Sequence, residues 1–420
     1  MDMREKVKKY LNREKIDLVP VDFGSTPVTG IAANIVSKLR DYYGLPNDTP
    51  VKVIEPYQML GEIADDLKEI IGINFTHLQV KRNMFGFENN NWKEFKLFDG
   101  TPVLVPEKFN IKFEKDGSLY QYPQGDTAVL PSAVMPKNGY YFDAINRQAP
   151  IIEGDLKVED NIEEFRYIGE SDLKYIELEV NRLYNSTPFS IVANLGGTSF
   201  GDVGLLPAPS LKSPKGIRDI EEWYISIHTR KNYIFEIFDR QCEIGLKNLE
   251  KIIKVLSDKI DVIYVGGTDL GTQCSLFFSL DTFKELFKPF YKRINDFIHK
   301  NTNWKTFFHS CGAIEPLIDE LVLSGFDILN PVQCSASGMD PYTLKKKYGC
   351  KIIFWGGGVD TQKTLPFGTE REVRNEVKER LKIFSKNGGF VFNAIHNIQP
   401  TTPIRNIIAM IEELNKYRRS

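Results

Sequence analysis

Residues 304–311 read Trp304-Lys305-Thr306-Phe307-Phe308-His309-Ser310-Cys311, an apolar run that ends at an imidazole and a thiol two positions apart. In a β-strand, residues i and i+2 face the same side. The pattern therefore predicts a strand that delivers two metal ligands, His309 and Cys311, to the mouth of a cavity. A histidine nitrogen with a cysteine thiolate is a borderline-soft pair that suits zinc. The alternative, a buried structural histidine beside a small core cysteine, stays open from this stretch alone.

Similar runs recur along the chain, and from about residue 189 onward they alternate with amphipathic helical stretches. Most of these runs are apolar on both faces, as buried parallel strands are. The eight predicted strands are Leu18–Phe23, Ile73–Leu78, Phe189–Asn194, Val262–Val265, Thr306–Phe308, Phe326–Leu329, Ile352–Trp355 and Phe390–Ile395. Alternation of strands and helices indicates a parallel sheet, and eight strands are the number in a closed barrel. We therefore predict the α/β class and a (β/α)8 TIM barrel.

Residues 80–150 do not fit the alternation. The Asp-Gly pairs Asp99-Gly100 and Asp116-Gly117, each flanked by strand-forming residues, predict two hairpins. We expect a small antiparallel β insertion after strand two, which could cap the barrel mouth or serve as the contact of a homodimer. The predicted organisation is an N-terminal helix with the first barrel strands over 1–79, the inserted β-rich segment over 80–150, and the remainder of the barrel with the metal site over 151–420.

The composition is that of an ordinary globular chain, with 420 residues, 26% charged side chains and a formal net charge of −2. Without a basic surplus, nucleic acid is not an expected partner. No stretch of 18 apolar residues occurs, so no membrane span is expected. The five cysteines are odd in number and form no Cys-x-x-Cys pair. Together with the charged N-terminal residues, this pattern favours reduced thiols and a cytoplasmic protein.

In a parallel barrel the chemistry lies where the strands end, because the loops there converge on one cavity. Asp22 stands at the end of strand one, Asp269 follows strand four, and both are candidates for proton transfer. Asp269 could also ligate a metal or cap the following helix. The polar residues at other strand ends that we assign to substrate binding are Asn194, Gln273, Gln333 and Gln399.

A catalytic zinc takes three protein ligands and keeps one position open. His309 and Cys311 supply two, so the third must come from another strand end. The two best candidates are His396, after strand eight, and Cys334, after strand six.

Six stretches, taken together and in order, carry a family resemblance: Val19–Gly24, His309–Gly312, Asp327–Gln333, Gly338–Asp340, Trp355–Gln362 and His396–Pro403. The chain is similar to the uroporphyrinogen decarboxylase superfamily, and especially to its corrinoid-dependent methyltransferase branch. This resemblance covers most of the chain and implies a (β/α)8 barrel.

The resemblance leaves two chemistries to compare. The porphyrinogen decarboxylases bind the substrate carboxylates with N-terminal arginines, but residues 24–30 contain no arginine here. The methyltransferases have a zinc site with a His-x-Cys pair after strand five and a cysteine ahead of the last Thr-Pro. His396 stands at that last position, where the decarboxylases also carry a histidine. The third ligand therefore stays open between His396 and Cys334.

The leading prediction is a zinc-dependent methyltransferase that moves a methyl group between a small molecule and the cobalt of a corrinoid. No Asp-x-His-x-x-Gly stretch occurs in the chain, so the corrinoid (cobalamin) is expected on a partner protein. The aromatic content favours an aryl methyl ether as the methyl donor, which would make the reaction an O-demethylation. The alternatives are a decarboxylase that acts on another carboxylated substrate, and a non-catalytic corrinoid-binding or scaffold protein.

Overall fold

The computed structural model describes residues 2–419, and fifteen strands are assigned within them. The strands are β1 Val51–Glu55, β2 Leu60–Gly61, β3 Phe75–Gln79, β4 Lys93–Lys96, β5 Pro102–Val105, β6 Ile111–Phe113, β7 Leu119–Gln121, β8 Ala133–Met135, β9 Asp143–Ala144, β10 Ser190–Asn194, β11 Val262–Gly267, β12 Lys305–His309, β13 Ile328–Asn330, β14 Ile353–Trp355 and β15 Phe390–Val391.

The α-helices of residues 2–419 lie mainly between the later strands. They are α1 Met3–Leu11, α2 Ala33–Tyr42, α3 Asp65–Ile71, α4 Glu170–Ser186, α5 Ile220–Thr229, α6 Lys231–Leu256, α7 Leu280–Thr282, α8 Lys288–Asn301, α9 Ile318–Leu323, α10 Pro341–Tyr348, α11 Thr364–Phe367, α12 Glu370–Phe384 and α13 Ile404–Arg419. A π-helical turn over Phe283–Phe287 joins α7 to α8. No helix in this part of the chain combines the length and the apolar character that a membrane crossing requires.

The centre of the molecule is a curled sheet of seven parallel strands in the order β15-β14-β13-β12-β11-β10-β3. Every neighbouring pair in this sheet is parallel. Helices connect most consecutive strands, which is the arrangement that buries both faces of such a sheet. The α/β class with a barrel-like parallel sheet is therefore confirmed, and seven of the eight predicted barrel strands are present.

The first predicted strand, Leu18–Phe23, is not a regular strand, so a barrel of eight strands is not confirmed. Val21 forms one isolated parallel bridge to Phe392, and on its other side its carbonyl accepts a hydrogen bond from the Asn74 amide. The physical reason for the short pairing is local. Pro20 has no N–H to donate to a ladder, and the backbone turns away at Gly24, where φ is +88°.

The concave face of the sheet is filled by large apolar side chains. The ring centroid of Trp355 lies 4.5 Å from that of Phe75 and 5.4 Å from that of Phe307. Val7 and Leu11 of α1 belong to the same buried cluster, so the N-terminal helix covers one end of this interior. Because each such side chain contributes about 1.5–3 kcal/mol on burial, the interior is a packed core, and polar chemistry is confined to the carboxyl ends of the strands.

The inserted segment contains both predicted hairpins. β4 pairs antiparallel with β5 across Asp99-Gly100, and β6 pairs antiparallel with β7 across Asp116-Gly117. β8 and β9 extend the second sheet. The first sheet is mixed, because β1 pairs in parallel with β5. β1 was not predicted, although its residues alternate in burial, and the domain boundaries at 80 and 150 stay predictions.

Candidate metal centre

Three side chains with metal-ligating atoms meet at the carboxyl ends of the strands. His309 is the last residue of β12, Cys311 stands two positions on, and His396 lies in the loop after β15. One ligand atom from each lies within 4.8 Å of the others. His309 Nε2 is 3.8 Å from Cys311 Sγ, and the two imidazole centroids are 5.5 Å apart. The structure therefore brings together the three residues predicted as ligands.

A hydrogen bond on its far side fixes the orientation of the His309 ring. His309 Nδ1 lies 2.7 Å from Asn330 Oδ1, and Asn330 Nδ2 donates to the Trp355 carbonyl at 2.9 Å. Because that carbonyl can only accept, the Asn330 amide is oriented with its oxygen toward the histidine. Nδ1 of His309 therefore carries the proton, and the Nε2 lone pair is directed at Cys311. Metal-ligating histidines are commonly held in this way.

Burial keeps both imidazoles neutral. It lowers the pKa of His396 to about 4, with a further contribution from His309. Burial also lowers the pKa of His309, although Asp269 and Asn330 act in the opposite direction. A neutral imidazole has a lone pair to give to a metal, whereas an imidazolium has none. Both rings are thus in the ligating form at neutral pH.

Cys311 lies beside the Asp269 carboxylate, so a bound cation would stabilise its thiolate form. Burial, followed by the nearby Asp269 carboxylate, raises the pKa of the Cys311 thiol well above its usual range. Asp269 Oδ1 accepts a hydrogen bond from the Cys311 amide at 2.9 Å and lies 4.0 Å from His309 Nε2. A divalent ion would balance one thiolate and one carboxylate, and coordinating thiols are deprotonated by such an ion.

The spacing of the three donors fits a zinc ion after small movements. Zinc bonds of about 2.0–2.3 Å in a tetrahedron separate the ligand atoms by roughly 3.3–3.7 Å. The His309–Cys311 distance of 3.8 Å is close to that range. The 4.8 Å limit on the whole group leaves about 1 Å to be closed, which side-chain rotation can supply. The donor set and its spacing are thus compatible with zinc.

Cys334, the other candidate for the third ligand, is not part of this group. Its Sγ donates to the Val332 carbonyl at 3.4 Å, and burial raises its pKa to about 12. The described geometry therefore favours His396 as the third donor.

The two predicted acid–base residues have different surroundings. The side chain of Asp269 is 45% exposed beside the ligand group. Asp22 is fully buried: its Oδ2 accepts from Ser25 Oγ and from Trp355 Nε1. Burial raises the pKa of Asp22 to about 6, although its hydrogen bonds lower it. Asp22 makes no hydrogen bond to His309, Cys311 or His396 within residues 2–419.

Gln333 and Gln273, two of the four predicted substrate-binding residues, are joined by a hydrogen bond beside the loop that carries Cys311. Gln333 Oε1 accepts a hydrogen bond from the Gly312 amide at 2.7 Å, and Gln333 Nε2 donates to Gln273 Oε1 at 3.0 Å. Gln333 therefore supports the backbone directly after Cys311, and Gln273 holds the Gln333 side chain. Their direct contact with a substrate stays a prediction.

The other two predicted substrate-binding residues are Asn194 and Gln399, and neither makes a described hydrogen bond to His309, Cys311 or His396. Asn194 ends β10, paired with Gln79 of β3. Gln399 lines a cavity of about 560 Å³ between the last loop and the inserted segment, together with Tyr140 and Asp143. The residues that line this cavity do not include His309, Cys311 or His396.

Asn330 and Asp202 are two further polar residues near the donor group, and the sequence alone assigns no role to either. The residue type of Asn330 does not reveal a partner 21 positions away. Asp202 lies in the loop after β10, where burial and the charge of Asp269 raise its pKa to about 7. An acidic residue in a glycine-rich loop on the active face was the available signal for it.

Comparison with known proteins adds to this geometry. Residues 219–417 match the family model described as uroporphyrinogen decarboxylase (URO-D). The matched region covers slightly less than half of the chain and contains His309, Cys311 and His396. The predicted resemblance to the superfamily is confirmed. No curated protein matches the chain.

Among solved structures, a methyltransferase from Methanosarcina mazei aligns over 99% of this chain and 99% of that chain, with 16% identity and a TM-score of 0.53. At this identity the match shows a shared fold over the length of the chain and nothing more. A complex structure of a GH113 β-1,4-mannanase covers 59% of this chain and 79% of that chain, with 9% identity and a TM-score of 0.31, a similarity too low to carry weight.

Proposed function

We propose that this chain is a zinc-dependent methyltransferase that moves a methyl group between a small molecule and the cobalt of a corrinoid on a separate protein. The observation that supports this most is the convergence of His309, Cys311 and His396 at the carboxyl ends of the strands. Two neutral imidazoles and a thiol are a zinc donor set. Three protein ligands leave a fourth position for a substrate atom.

The residues around the ion would have separate tasks. When bound, zinc would hold a thiol as a thiolate or polarise an ether oxygen, which activates the atom that gains or loses the methyl group. Asn330 would keep the Nε2 lone pair of His309 directed at the ion. Gln333 would hold the backbone after Cys311, and Asp269 would balance the charge of the ion.

The finer parts of the proposal concern the substrate and the partners. The full-length fold match with a methyltransferase supports the reaction class. We propose an aryl methyl ether as one methyl donor, because the aromatic content of the chain, with 28 phenylalanines and 18 tyrosines, suits a pocket for an aromatic ring. A cytoplasmic location and a homodimer formed through the inserted segment are further parts of this proposal.

Metal analysis and a transfer assay test the proposal together. We expect one zinc per purified chain and transfer of the methyl group from an aryl methyl ether to reduced cobalamin, followed by the change in the cobalamin spectrum. His309→Ala and Cys311→Ser should lose both zinc and transfer. Cys350→Ser is the matched control, because Cys350 is an exposed free thiol. Zinc-free protein, or variants with full transfer, would refute the proposal.

A second candidate function is the decarboxylation of another carboxylated substrate. Asp22, whose pKa is raised to about 6, could supply a proton near neutral pH, and His396 stands where the decarboxylases carry a histidine. Release of CO₂ by the wild type, lost in Asp22→Asn and retained after zinc removal, would favour it. Stoichiometric zinc that is needed for turnover would count against it.

A further inference from the structure

Tyr264 is a phenol on the concave face of the sheet that no part of the proposed chemistry uses so far. It lies on β11, and its ring stacks on Phe307 of β12 with centroids 5.4 Å apart. Phe307 precedes His309 by two residues, so both side chains face the same interior. The Tyr264 hydroxyl makes no hydrogen bond within residues 2–419, although the ring is half-buried in the apolar interior cluster.

A β-bulge directs the end of this strand. Tyr264 lies opposite Phe307 and Gly266 lies opposite Phe308, so Val265 is an extra residue on β11. Bulges of this kind re-aim side chains and are frequent next to active sites. Because of the extra residue, position 267 rather than 266 shares the inward face with Tyr264.

The absence of a side chain at that inward position makes room for the hydroxyl. A Cβ on Gly267 would lie 1.9 Å from Tyr264 Oη, so any other residue at this position would force the phenol ring to move. Gly267 is also the ladder partner of His309. Since adjacent strands are about 4.8 Å apart, the Tyr264 hydroxyl lies roughly one strand spacing from the backbone of a proposed metal ligand, on the same face.

We propose that the Tyr264 hydroxyl donates a hydrogen bond to the oxygen or sulfur atom of the substrate that loses or gains the methyl group. This inference rests on the proposed function, and it makes Tyr264 a further catalytic residue of that site. It also restricts the substrate class to ethers, alcohols, thioethers and thiols. A quaternary ammonium donor has no lone pair to accept the bond.

The chemistry fits a donor that keeps its proton. When the methyl group of an ether passes to the reduced cobalt of the corrinoid, a bond between carbon and cobalt forms with the electron pair of cobalt. The bond between carbon and oxygen breaks at the same time, its electron pair stays on oxygen, and negative charge develops there. A preorganised donor stabilises such charge most in a site without bulk water. Burial, together with the charges of Asp202 and Asp269, raises the pKa of Tyr264 well above its usual range. The phenol therefore remains a hydrogen-bond donor at neutral pH.

The test compares Tyr264→Phe with Tyr291→Phe. Tyr291 is the matched control, since its ring packs against Phe308 on the outer face of the same strand pair and its hydroxyl has only a 3.5 Å contact with the Phe200 carbonyl. We expect Tyr264→Phe to keep its zinc and to lose about 100-fold in kcat for methyl phenyl ether. With methyl 4-nitrophenyl ether, whose leaving group needs less stabilisation, the loss should be smaller. Tyr291→Phe should behave like the wild type with both donors.

A binding measurement separates this inference from the proposed function. Calorimetry with phenol and with a small alkyl thiol should show at least tenfold weaker binding to Tyr264→Phe than to the wild type. If the wild type transfers methyl groups and Tyr264→Phe is unchanged in rate and in binding, the role of Tyr264 is refuted while the methyltransferase stands. If the wild type transfers nothing, the proposed function fails, and the phenol and thiol titrations alone decide about Tyr264. A wild type that binds neither probe refutes the hydrogen bond as well.

Discussion

Asn330 holds His309 from the next strand of the sheet, with 2.7 Å between Asn330 Oδ1 and His309 Nδ1. The same amide donates to the carbonyl of Trp355 on the strand beyond. Three neighbouring strands therefore determine the orientation of one imidazole ring. A ring held in this way does not have to be ordered when an ion binds.

We predict that Asn330→Ala weakens zinc binding by about 10- to 100-fold, as the loss of a residue that orients a metal ligand does. Competition with a chromophoric chelator measures this affinity. Asn330→Asp should recover most of it, because a carboxylate also accepts the Nδ1 proton. The prediction fails if Asn330→Ala binds zinc as tightly as the wild type while its thermal unfolding is unchanged.

The third ligand can be tested by exchanging the two candidates. We expect His396→Ala to lose zinc and Cys334→Ala to keep it, because only His396 belongs to the group of donors within 4.8 Å. His396→Cys should still bind zinc, since a thiolate is an equally good ligand. Metal content after dialysis is the measurement. Zinc retained in His396→Ala and lost in Cys334→Ala would assign the site to Cys334.

Ionisation of Asp22 should lower the free energy of unfolding as the pH rises from about 4 to about 6. Its pKa is raised by burial from 3.8 to about 6 in the folded state, so the folded state binds the proton more tightly than the unfolded state. The stabilising contribution is complete below pH 4 and is lost as the pH passes through 6.

The measurement is the free energy of urea unfolding across that pH range. Two pKa units correspond to about 2–3 kcal/mol. Asp22→Asn should remove this part of the pH dependence, whatever its effect on absolute stability. Equal slopes for the wild type and Asp22→Asn between pH 4 and 6 would show that the carboxylate is already ionised in the folded protein at low pH.

Gly267→Ala should destabilise the chain by about 1–3 kcal/mol, the usual range for an overpacked interior. The added Cβ would lie 1.9 Å from Tyr264 Oη, so Tyr264→Phe in the same chain should recover part of the loss. Gly154→Ala is the control, because nothing lies within 4 Å of its added Cβ. Urea unfolding is measured for the wild type, Gly267→Ala, Tyr264→Phe, the double variant and Gly154→Ala. The first four free energies of unfolding give the coupling energy between positions 264 and 267. Additive effects of the two changes would mean that the ring moves away freely.

The central sheet was predictable because its strands are short runs that are apolar on both faces. Lys305–His309 and Val262–Gly267 are examples in which residue type alone indicates a buried parallel strand. The segment Leu18–Phe23 has the same composition, but Pro20 cannot donate to a ladder and the backbone turns at Gly24. Composition therefore predicted correctly that this segment lies beside the last strand, but the prediction of a regular strand was wrong, since only an isolated bridge forms.

Only the part of the site that lies at the ends of predicted strands could be predicted from the sequence. His309 and Cys311 follow from the period of two along one strand. The choice between His396 and Cys334 depends on the path of two loops in space, which residue types do not encode. The bulge at Val265 could not be predicted from the sequence either. It is defined by the pairing of β11 with β12, a strand some forty residues later.

The bridge between Val21 and Phe392 joins segments 371 residues apart. On a ribosome, the N-terminal segment is made long before its neighbour on that side exists, and contacts of such sequence separation are slow to form. The side of this segment that meets Phe392 must stay unpaired during most of synthesis, which is the condition under which long chains associate wrongly or recruit chaperones. A chain that stops before β15 would keep that edge exposed permanently.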